Sequence, residues 1–356
     1  MPSIAFCSGL NSDLFEGRFG DIFYSESSSS YPSEYWRYPL RLLAQRLILS
    51  GWTIQPNSPD SEFDVLYLRD LPKDPVALAA LAKRSKTLVV HLAESPLRSV
   101  SGIKLLEQLR QYASLVISYM PMPQGIGIPW LTVPLPFLTP PVSPLVHPNA
   151  LQHFDRRRHL CMISGCDRFG WRRRLSEPLL FYSGSRQKNP VKMPRYVLAD
   201  SIARVAPDSF DIYGYSWNFA RSASKKCWRR SSAQKNDILT SYKFYFAFEN
   251  FKGSIGYITE KIFDGFRSGC IPIYAGDLSI DDHIPSDAYI DARQFSNIRE
   301  ILDFLQTFNS DKWSAMSLAG VEFMKTQFES SPFSPQIFVE KVASFILCNA
   351  LKDDHC

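Results

Sequence analysis

Continuously apolar segments constrain this chain most, because they fit only a β-sheet that is covered on both faces. FDVLYL (63–68) and TLVVHLA (87–93) have almost no polar positions, whereas a half-exposed strand alternates polar and apolar residues. Helical patterns at 34–51, 74–85 and 103–113 separate such segments. This alternation is typical of the α/β class with a parallel, doubly wound sheet.

The alternation is interrupted at 121–149, where proline is frequent and periodic segments are few. It then resumes, with predicted strands at 160–164, 210–215, 242–250, 271–276 and 288–292. We therefore predict two Rossmann-like domains joined by a long crossover. The predicted boundaries are 1–150 for the first domain (including the Pro-rich crossover 121–149), 151–335 for the second, and 336–356 for a C-terminal helix and tail.

Composition excludes several classes of protein. With 45% hydrophobic and 21% charged residues, the chain is typical of a soluble globular protein rather than a disordered one. No segment approaches the roughly 20 uninterrupted apolar residues of a membrane span, and we predict no signal peptide. The seven Cys show neither CxxC nor Cys/His ligand spacing, which favours reduced thiols and a cytoplasmic location.

Positive charge is concentrated in residues 155–230, which contain 17 Lys and Arg against 6 Asp and Glu. Such a segment can bind a phosphorylated ligand, nucleic acid or an anionic membrane surface, or it can be a solvated basic face. Nucleic acid is disfavoured because no zinc finger, RRM or comparable module surrounds these charges. The sequence contains no GxGxxG or GxxxxGK[ST] motif, which argues against a dinucleotide site and a P-loop.

GYITEKIFDGFRSGCIPIYAGD (256–277) places an acid and a base at the entry of a predicted helix. The free N–H groups of a helix entry favour an anion. Thr259, Glu260 and Lys261 lie in the first turn, where Lys261 suits a phosphate and Glu260 suits two adjacent hydroxyl groups such as those of a ribose. The alternative is a capped amphipathic helix with the apolar residues of 262–266 as its buried face.

Further polar residues follow the predicted strands, at the edge where parallel α/β sheets bind ligands. Glu94 comes directly after TLVVHLA, and its carboxylate is a candidate general base; it could equally tie down the loop that follows. Asn250 ends YKFYFAFEN. His91, within its strand, suits a core histidine better than a catalyst. No D-x-D pair or His cluster predicts a metal site.

These segments resemble a known family. YKFYFAFEN, GYITEKIFDGFRSGCIPIYAGD and HIPSDAYIDARQF, spanning 242–295, are similar to the signature of the α-1,3/1,4-fucosyltransferases, glycosyltransferase family ten. HLAESPL (91–97), RYVLADSIARVAPDSFDIYGYSW (195–217) and FSPQIFVEKVASFI (333–346) extend the resemblance upstream and downstream.

The resemblance implies a GT-B fold, with two Rossmann-like domains facing a central cleft. Residues 1–150 would bind the sugar acceptor and 151–335 would bind GDP-fucose. It implies an inverting transfer of fucose to a hydroxyl of an N-acetylglucosamine-containing glycan, most simply through an α-1,3 linkage, with lipopolysaccharide and Lewis-antigen glycans as acceptor classes. The alternatives are a GT-B transferase for another nucleotide sugar and a non-catalytic nucleotide- or glycan-binding relative.

By position, the resemblance makes Glu94 the catalytic base. Arg195 and Lys261 would hold the diphosphate and stabilise the charge on the leaving group. Arg172 to Arg174 and Arg186 stay open as alternatives to Arg195.

The same resemblance assigns the remaining donor contacts. Glu260 would hold the ribose, and Asn250, Tyr257 and Thr259 would line the donor pocket. No divalent metal is expected to be obligatory. The expected partners are GDP-fucose and an oligosaccharide, and not nucleic acid. The expected location is the cytoplasm, with peripheral association at the inner membrane as an open alternative and the oligomeric state undefined.

Overall fold

The computed structural model describes residues 1–8, 31–55, 60–72, 74–93, 103–136, 144–151, 153–164, 189–217, 223–229, 235–250 and 255–350, and the structural statements below concern these residues. They divide into two compact units that are each discontinuous in sequence. The first comprises 1–142, 253–258 and 328–356, and the second comprises 143–252 and 259–327.

Parallel strands form one sheet in each unit. In the described part of the chain, the first sheet has the order β2-β1-β3-β4-β5-β6 and the second has the order β11-β10-β9-β7-β8. The strands are β1 Ser3–Ser8, β2 Thr53–Ile54, β3 Phe63–Arg69, β4 Ser85–Leu92, β5 Leu115–Ser118, β6 Trp130–Thr132, β7 Arg158–Ile163, β8 Phe210–Tyr213, β9 Tyr242–Phe248, β10 Ile271–Ala275 and β11 Ile290–Asp291.

Helices follow most of these strands, as expected for connections between parallel strands. The α-helices are α1 Tyr31–Leu49, α2 Pro75–Ala82, α3 Ile103–Tyr112, α4 Arg195–Val205, α5 Ser224–Cys227, α6 Lys235–Leu239, α7 Glu260–Arg267, α8 Ile298–Gln306, α9 Ser310–Glu322 and α10 Pro335–Asn349. The predicted class, α/β with parallel sheets in two units, is confirmed.

Strand β4 shows why residues 88–90 of its sequence are continuously apolar. Val89 packs in a buried cluster with residues of α1 and α10, while Leu88 and Val90 pack on the other face with residues of α2 and α3. His91 lies on the α10 side, where its Nδ1 is 2.7 Å from the hydroxyl of buried Tyr67. Burial, together with the charge of Arg69, lowers the pKa of His91 to about 3, so its ring is neutral at physiological pH.

The second sheet is organised around β9. Phe244, Phe246 and Phe248 face a buried cluster that includes residues of α4 and α8. Helix α7 packs against β9 and β10, and its Phe263 and Phe266 rings contact Phe323. This packing fixes the amino end of α7 beside the carboxyl ends of β9 and β10.

The sequence pattern predicted few regular elements in segment 121–149, but part of this segment forms a strand. Trp130–Thr132 forms β6, which pairs with Val116, Ile117 and Ser118 of β5. A three-residue edge strand is too short for its alternation to be read among prolines.

One prediction concerns backbone crowding. Gly51 and Gly269 both have positive φ, of 84° and 62°. A Cβ at Gly269 would lie 1.8 Å from the carbonyl oxygen of Ala150, which also accepts a hydrogen bond from Arg157, whereas a Cβ at Gly51 meets nothing within 4 Å. We therefore expect Gly51→Ala to cost about 1–2 kcal/mol of unfolding free energy, and Gly269→Ala to cost at least about twice as much. Urea unfolding of both variants provides the measurement, and equal losses would contradict the close approach at Gly269.

Candidate functional site

A buried carboxylate lies directly after β9. The side chain of Glu249 has no exposed surface, and its backbone N–H donates to the carbonyl of Ala275 at 2.8 Å, so it lies where β9 and β10 end together. Its carboxylate accepts hydrogen bonds from Thr259 N (2.8 Å), Thr259 Oγ1 (2.7 Å) and Lys261 Nζ (2.9 Å). These bonds fix the entry of α7 against the sheet edge.

Lys261 is held at that helix entry by acceptor oxygens. Its Nζ donates to Glu249 Oε2 and, at 2.8 Å, to Thr259 Oγ1, and it lies 3.4 Å from Glu260 Oε1. A cation in the first turn opposes the helix dipole unless an anion accompanies it. In the structure, the carboxylate of Glu249 is that anion. The sequence offered one signal for this partner, namely an acid directly after an apolar strand.

The carboxylates of the site have opposite pKa shifts. Burial raises the pKa of Glu249 above its ordinary value, and Lys261 offsets only part of this effect. For Glu260 burial also opposes ionisation, but the charges of Lys261 and Lys235 outweigh it and lower the pKa to about 2. The Glu260 side chain is 47% exposed. It is therefore an ionised acceptor that a ligand can reach.

The loop after β10 packs tightly beside Glu249. A Cβ at Gly276 would lie 2.4 Å from both Glu249 Cγ and the Tyr274 hydroxyl oxygen, so only glycine fits there. The hydroxyl of Tyr274 accepts a hydrogen bond from Asp277 N at 3.1 Å. Buried Asp277 in turn accepts bonds from the backbone and hydroxyl of Ser279.

The structure brings Thr259, Glu260 and Lys261 together, and Asn250 follows Glu249 as an exposed residue. Tyr257 is buried in the first unit, where its ring packs on Tyr119 with centroids 5.1 Å apart.

Arg195 and Glu94 were also predicted to belong to the site. Arg195 is the half-buried first residue of α4. Glu94 lies outside the described residues, as do Arg172 to Arg174 and Arg186. The assignments of all these residues to a ligand stay predictions.

The described ranges contain no group of three or more His, Cys, Asp or Glu side chains arranged to hold a metal ion. They also contain no helix with both the length and the apolar character needed to cross a membrane.

Comparison with known proteins finds a family match in the C-terminal half of the chain. Residues 194–318 match the sequence model described as "Glycosyltransferase family 10 (fucosyltransferase) C-term". Residues 194–318 are a family 10 fucosyltransferase domain. The matched range contains Arg195, Glu249, Asn250 and the whole entry of α7.

Curated relatives that match this part of the chain are also named fucosyltransferases. The chain is 30% identical over 111 residues to the alpha-(1,3)-fucosyltransferase FucT of Helicobacter pylori, covering 31% of this chain and 23% of the relative. It is 39% identical over 75 residues to the human GDP-fucose protein O-fucosyltransferase 3, covering 21% and 15%. The matched part of the chain thus spans less than a quarter of these relatives.

A solved structure extends the likeness to the first unit. The structure described as alpha1,3-fucosyltransferase with GDP-fucose aligns with a TM-score of 0.52 and 16% identity, covering 99% of this chain and 91% of the other. At this identity the alignment establishes the fold. The predicted GT-B fold is confirmed.

Proposed function

We propose that this family 10 protein transfers fucose from GDP-fucose to a hydroxyl group of an N-acetylglucosamine-containing glycan, forming an α-1,3 linkage. One observation carries the proposal: the matched domain contains the Thr259–Glu260–Lys261 entry of α7, with the Lys261 ammonium anchored by buried Glu249. Such an entry combines a helix amino end, a cation and an ionised carboxylate, which suits a nucleoside diphosphate.

The proposed reaction is an in-line, inverting displacement. The acceptor hydroxyl oxygen forms a bond to the anomeric carbon of fucose while Glu94 takes the hydroxyl proton. The bond from that carbon to the β-phosphate oxygen breaks, and its electron pair leaves with GDP. Because attack and departure occur on opposite faces, the anomeric configuration inverts.

Protein cations stabilise the leaving group in this proposal. Arg195 and Lys261 bind the diphosphate, and a divalent metal is therefore not obligatory. Glu260 accepts hydrogen bonds from the two ribose hydroxyls, and Asn250, Tyr257 and Thr259 complete the donor pocket. Glu249 acts through Lys261, because its carboxylate fixes the position of the ammonium.

Donor choice is the first test of this function. We expect GDP to raise the melting temperature by several degrees, because a ligand at about 100 times its Kd adds about 2.7 kcal/mol to the unfolding free energy of the protein. UDP and ADP at the same concentration should raise it much less. Equal stabilisation by UDP would contradict the donor assignment and favour a transferase for another nucleotide sugar.

A second candidate differs only in the acceptor. The name of the human relative, GDP-fucose protein O-fucosyltransferase 3, supports a hydroxyl group of a protein as the acceptor instead of a glycan. Radiolabelled GDP-fucose with an N-acetylglucosamine disaccharide, its 3-deoxy analogue and a panel of folded proteins separates the two. Transfer to the disaccharide alone supports the α-1,3 proposal. Labelled protein supports the second candidate, and GDP binding without any transfer supports a non-catalytic relative.

We also propose a cytoplasmic location, with peripheral attachment to the inner membrane as the alternative. The cysteines at 7, 161, 227, 270 and 348 are free thiols, which suits a reducing compartment. Fractionation of a tagged full-length protein tests this location, since a salt-extractable membrane fraction is expected for peripheral attachment.

A further inference from the structure

Lys235, which the sequence analysis did not single out, lies beside the entry of α7. It is the first residue of α6, and its side chain is 18% exposed. Its Nζ lies 2.5 Å from Asp264 Oδ2 and 3.9 Å from Glu260 Oε1. The ring of Tyr245 lies below the ammonium, with its centroid 5.8 Å from Nζ. The ammonium is thus confined by two carboxylates and an aromatic face.

The two carboxylates that Lys235 contacts are one helical turn apart. Glu260 and Asp264 occupy positions i and i+4 of α7, so their side chains share one face of the helix. Asp264 is almost completely buried, with 2% of its side chain exposed. Two carboxylates at this spacing repel each other, and a cation between them is required to keep both ionised.

The charges of the cluster support this arrangement. Burial alone would lower the pKa of Lys235, but Asp264 and Glu260 outweigh burial, and the pKa is raised above its ordinary value. Lys235 is therefore charged at neutral pH. Three carboxyl groups, those of Glu249, Glu260 and Asp264, surround the two ammonium groups of Lys235 and Lys261. Loss of Lys235 would remove a positive charge where an anionic ligand is proposed to bind.

We propose that Lys235 is a positioning residue of the donor site, which holds the Glu260 carboxylate in place for the two ribose hydroxyls. This inference rests on the proposed function, since the hydroxyls belong to GDP. Lys261 holds Glu260 less closely than its other partners, because its ammonium lies 2.8–2.9 Å from Thr259 and Glu249 but 3.4 Å from Glu260 Oε1. Lys235 and Lys261 both lie within 4 Å of Glu260 Oε1, so two cations restrain the half-exposed carboxylate.

The test must separate positioning from folding. Lys235→Met alone would leave buried Asp264 without its cation, so the informative variant is Lys235→Met/Asp264→Asn, which removes both charges of the buried pair. The readout is the ratio of the Kd of 2′,3′-dideoxy-GDP to the Kd of GDP, measured by calorimetry. In the unmodified protein we expect a ratio of about 10 or more, the effect of losing hydrogen bonds to a charged acceptor.

In the double variant we expect the ratio to fall at least about fivefold, toward 1, because Glu260 loses one of its two cations and is no longer fixed in place. The matched control is Asp264→Asn, which keeps the contact of Lys235 with Glu260 and should keep the ratio. Lys243→Met is a second control, because it removes a half-buried ammonium that packs 3.4 Å from the Phe154 ring. Lys235→Arg should also preserve the ratio.

The outcomes distinguish the two proposals. If the unmodified protein does not bind GDP, the proposed function fails and this inference fails with it. If it binds GDP but the ratio of the two Kd values is near 1, the proposed ribose contact of Glu260 is wrong. The positioning role of Lys235 is then overturned as well. If the double variant keeps the full ratio, the role of Lys235 is overturned while the proposed function stands. Should the double variant not fold, Lys235→Gln/Asp264→Asn gives the same comparison, because it also removes both charges of the buried pair while keeping polar side chains.

Discussion

Replacement of Glu94 by Gln is expected to lower kcat for fucosyl transfer by about 10²–10⁴-fold, while the Kd of GDP stays unchanged. The amide of Gln has nearly the shape of the carboxylate but cannot take the acceptor proton. The donor contacts proposed for Arg195, Glu260 and Lys261 do not involve residue 94. Initial rates with GDP-fucose and an N-acetylglucosamine disaccharide, with calorimetry for GDP, provide the two measurements.

Glu107→Gln is the matched control, because Glu107 is an exposed acid on α3 in the same unit. Its kcat and its Kd for GDP should equal those of the unmodified protein. Near-full turnover in Glu94→Gln would remove Glu94 from the role of base. A joint loss of turnover and GDP affinity would instead indicate that residue 94 supports the donor site.

The strands that the sequence predicted well are those that are buried on both faces. Strands β3, β9 and β10 are apolar along most of their length, and β4 is apolar at 88–90, because helices cover both faces of each sheet. In a chain of this size, a continuous apolar run flanked by helical patterns fits few structures other than a strand of a covered parallel sheet. The α/β class followed from these segments alone.

Long-range partners could not be predicted in this way. Helix α10 packs against α1, with Arg46 Nε 3.2 Å from a carboxylate oxygen of Glu340 almost three hundred residues away. A helical period shows that a face is buried but not which helix covers it. Strands β2 and β6 were missed for a different reason, because two or three residues cannot display a period.

The same distinction applies to the site. Thr259, Glu260 and Lys261 were accessible to sequence reasoning, because a Lys in the first turn of a helix is unusual and draws attention to its neighbours. Glu249 and Lys235 reach that entry only through the packing of β9 and α6 against α7. Their sequence separations from Lys261, 12 and 26 residues, follow no local period.

Replacement of Lys261 by Ala should have two separable consequences. It leaves the Glu249 carboxylate buried without its cation, and breaking a buried ion pair by removing one partner costs about 3–5 kcal/mol of unfolding free energy. It also removes the ammonium that we propose binds the diphosphate. Urea unfolding and calorimetry with GDP measure the two losses, but the single variant cannot assign the second loss to the ligand contact.

The variant Glu249→Gln/Lys261→Met separates the two effects, because it removes both charges while the Gln carbonyl oxygen can still accept from Thr259 N. We expect most of the lost stability to return, whereas the Kd of GDP stays about 10–100-fold above that of the unmodified protein. Glu322→Gln/Lys325→Met removes an exposed ion pair of the same type and should change both quantities little. If the Kd of GDP recovers along with stability, Lys261 only compensates Glu249 and does not bind the diphosphate. Because the Lys261 ammonium already has a buried carboxylate as its partner, this comparison decides whether the entry of α7 binds an anion or only resembles such a site.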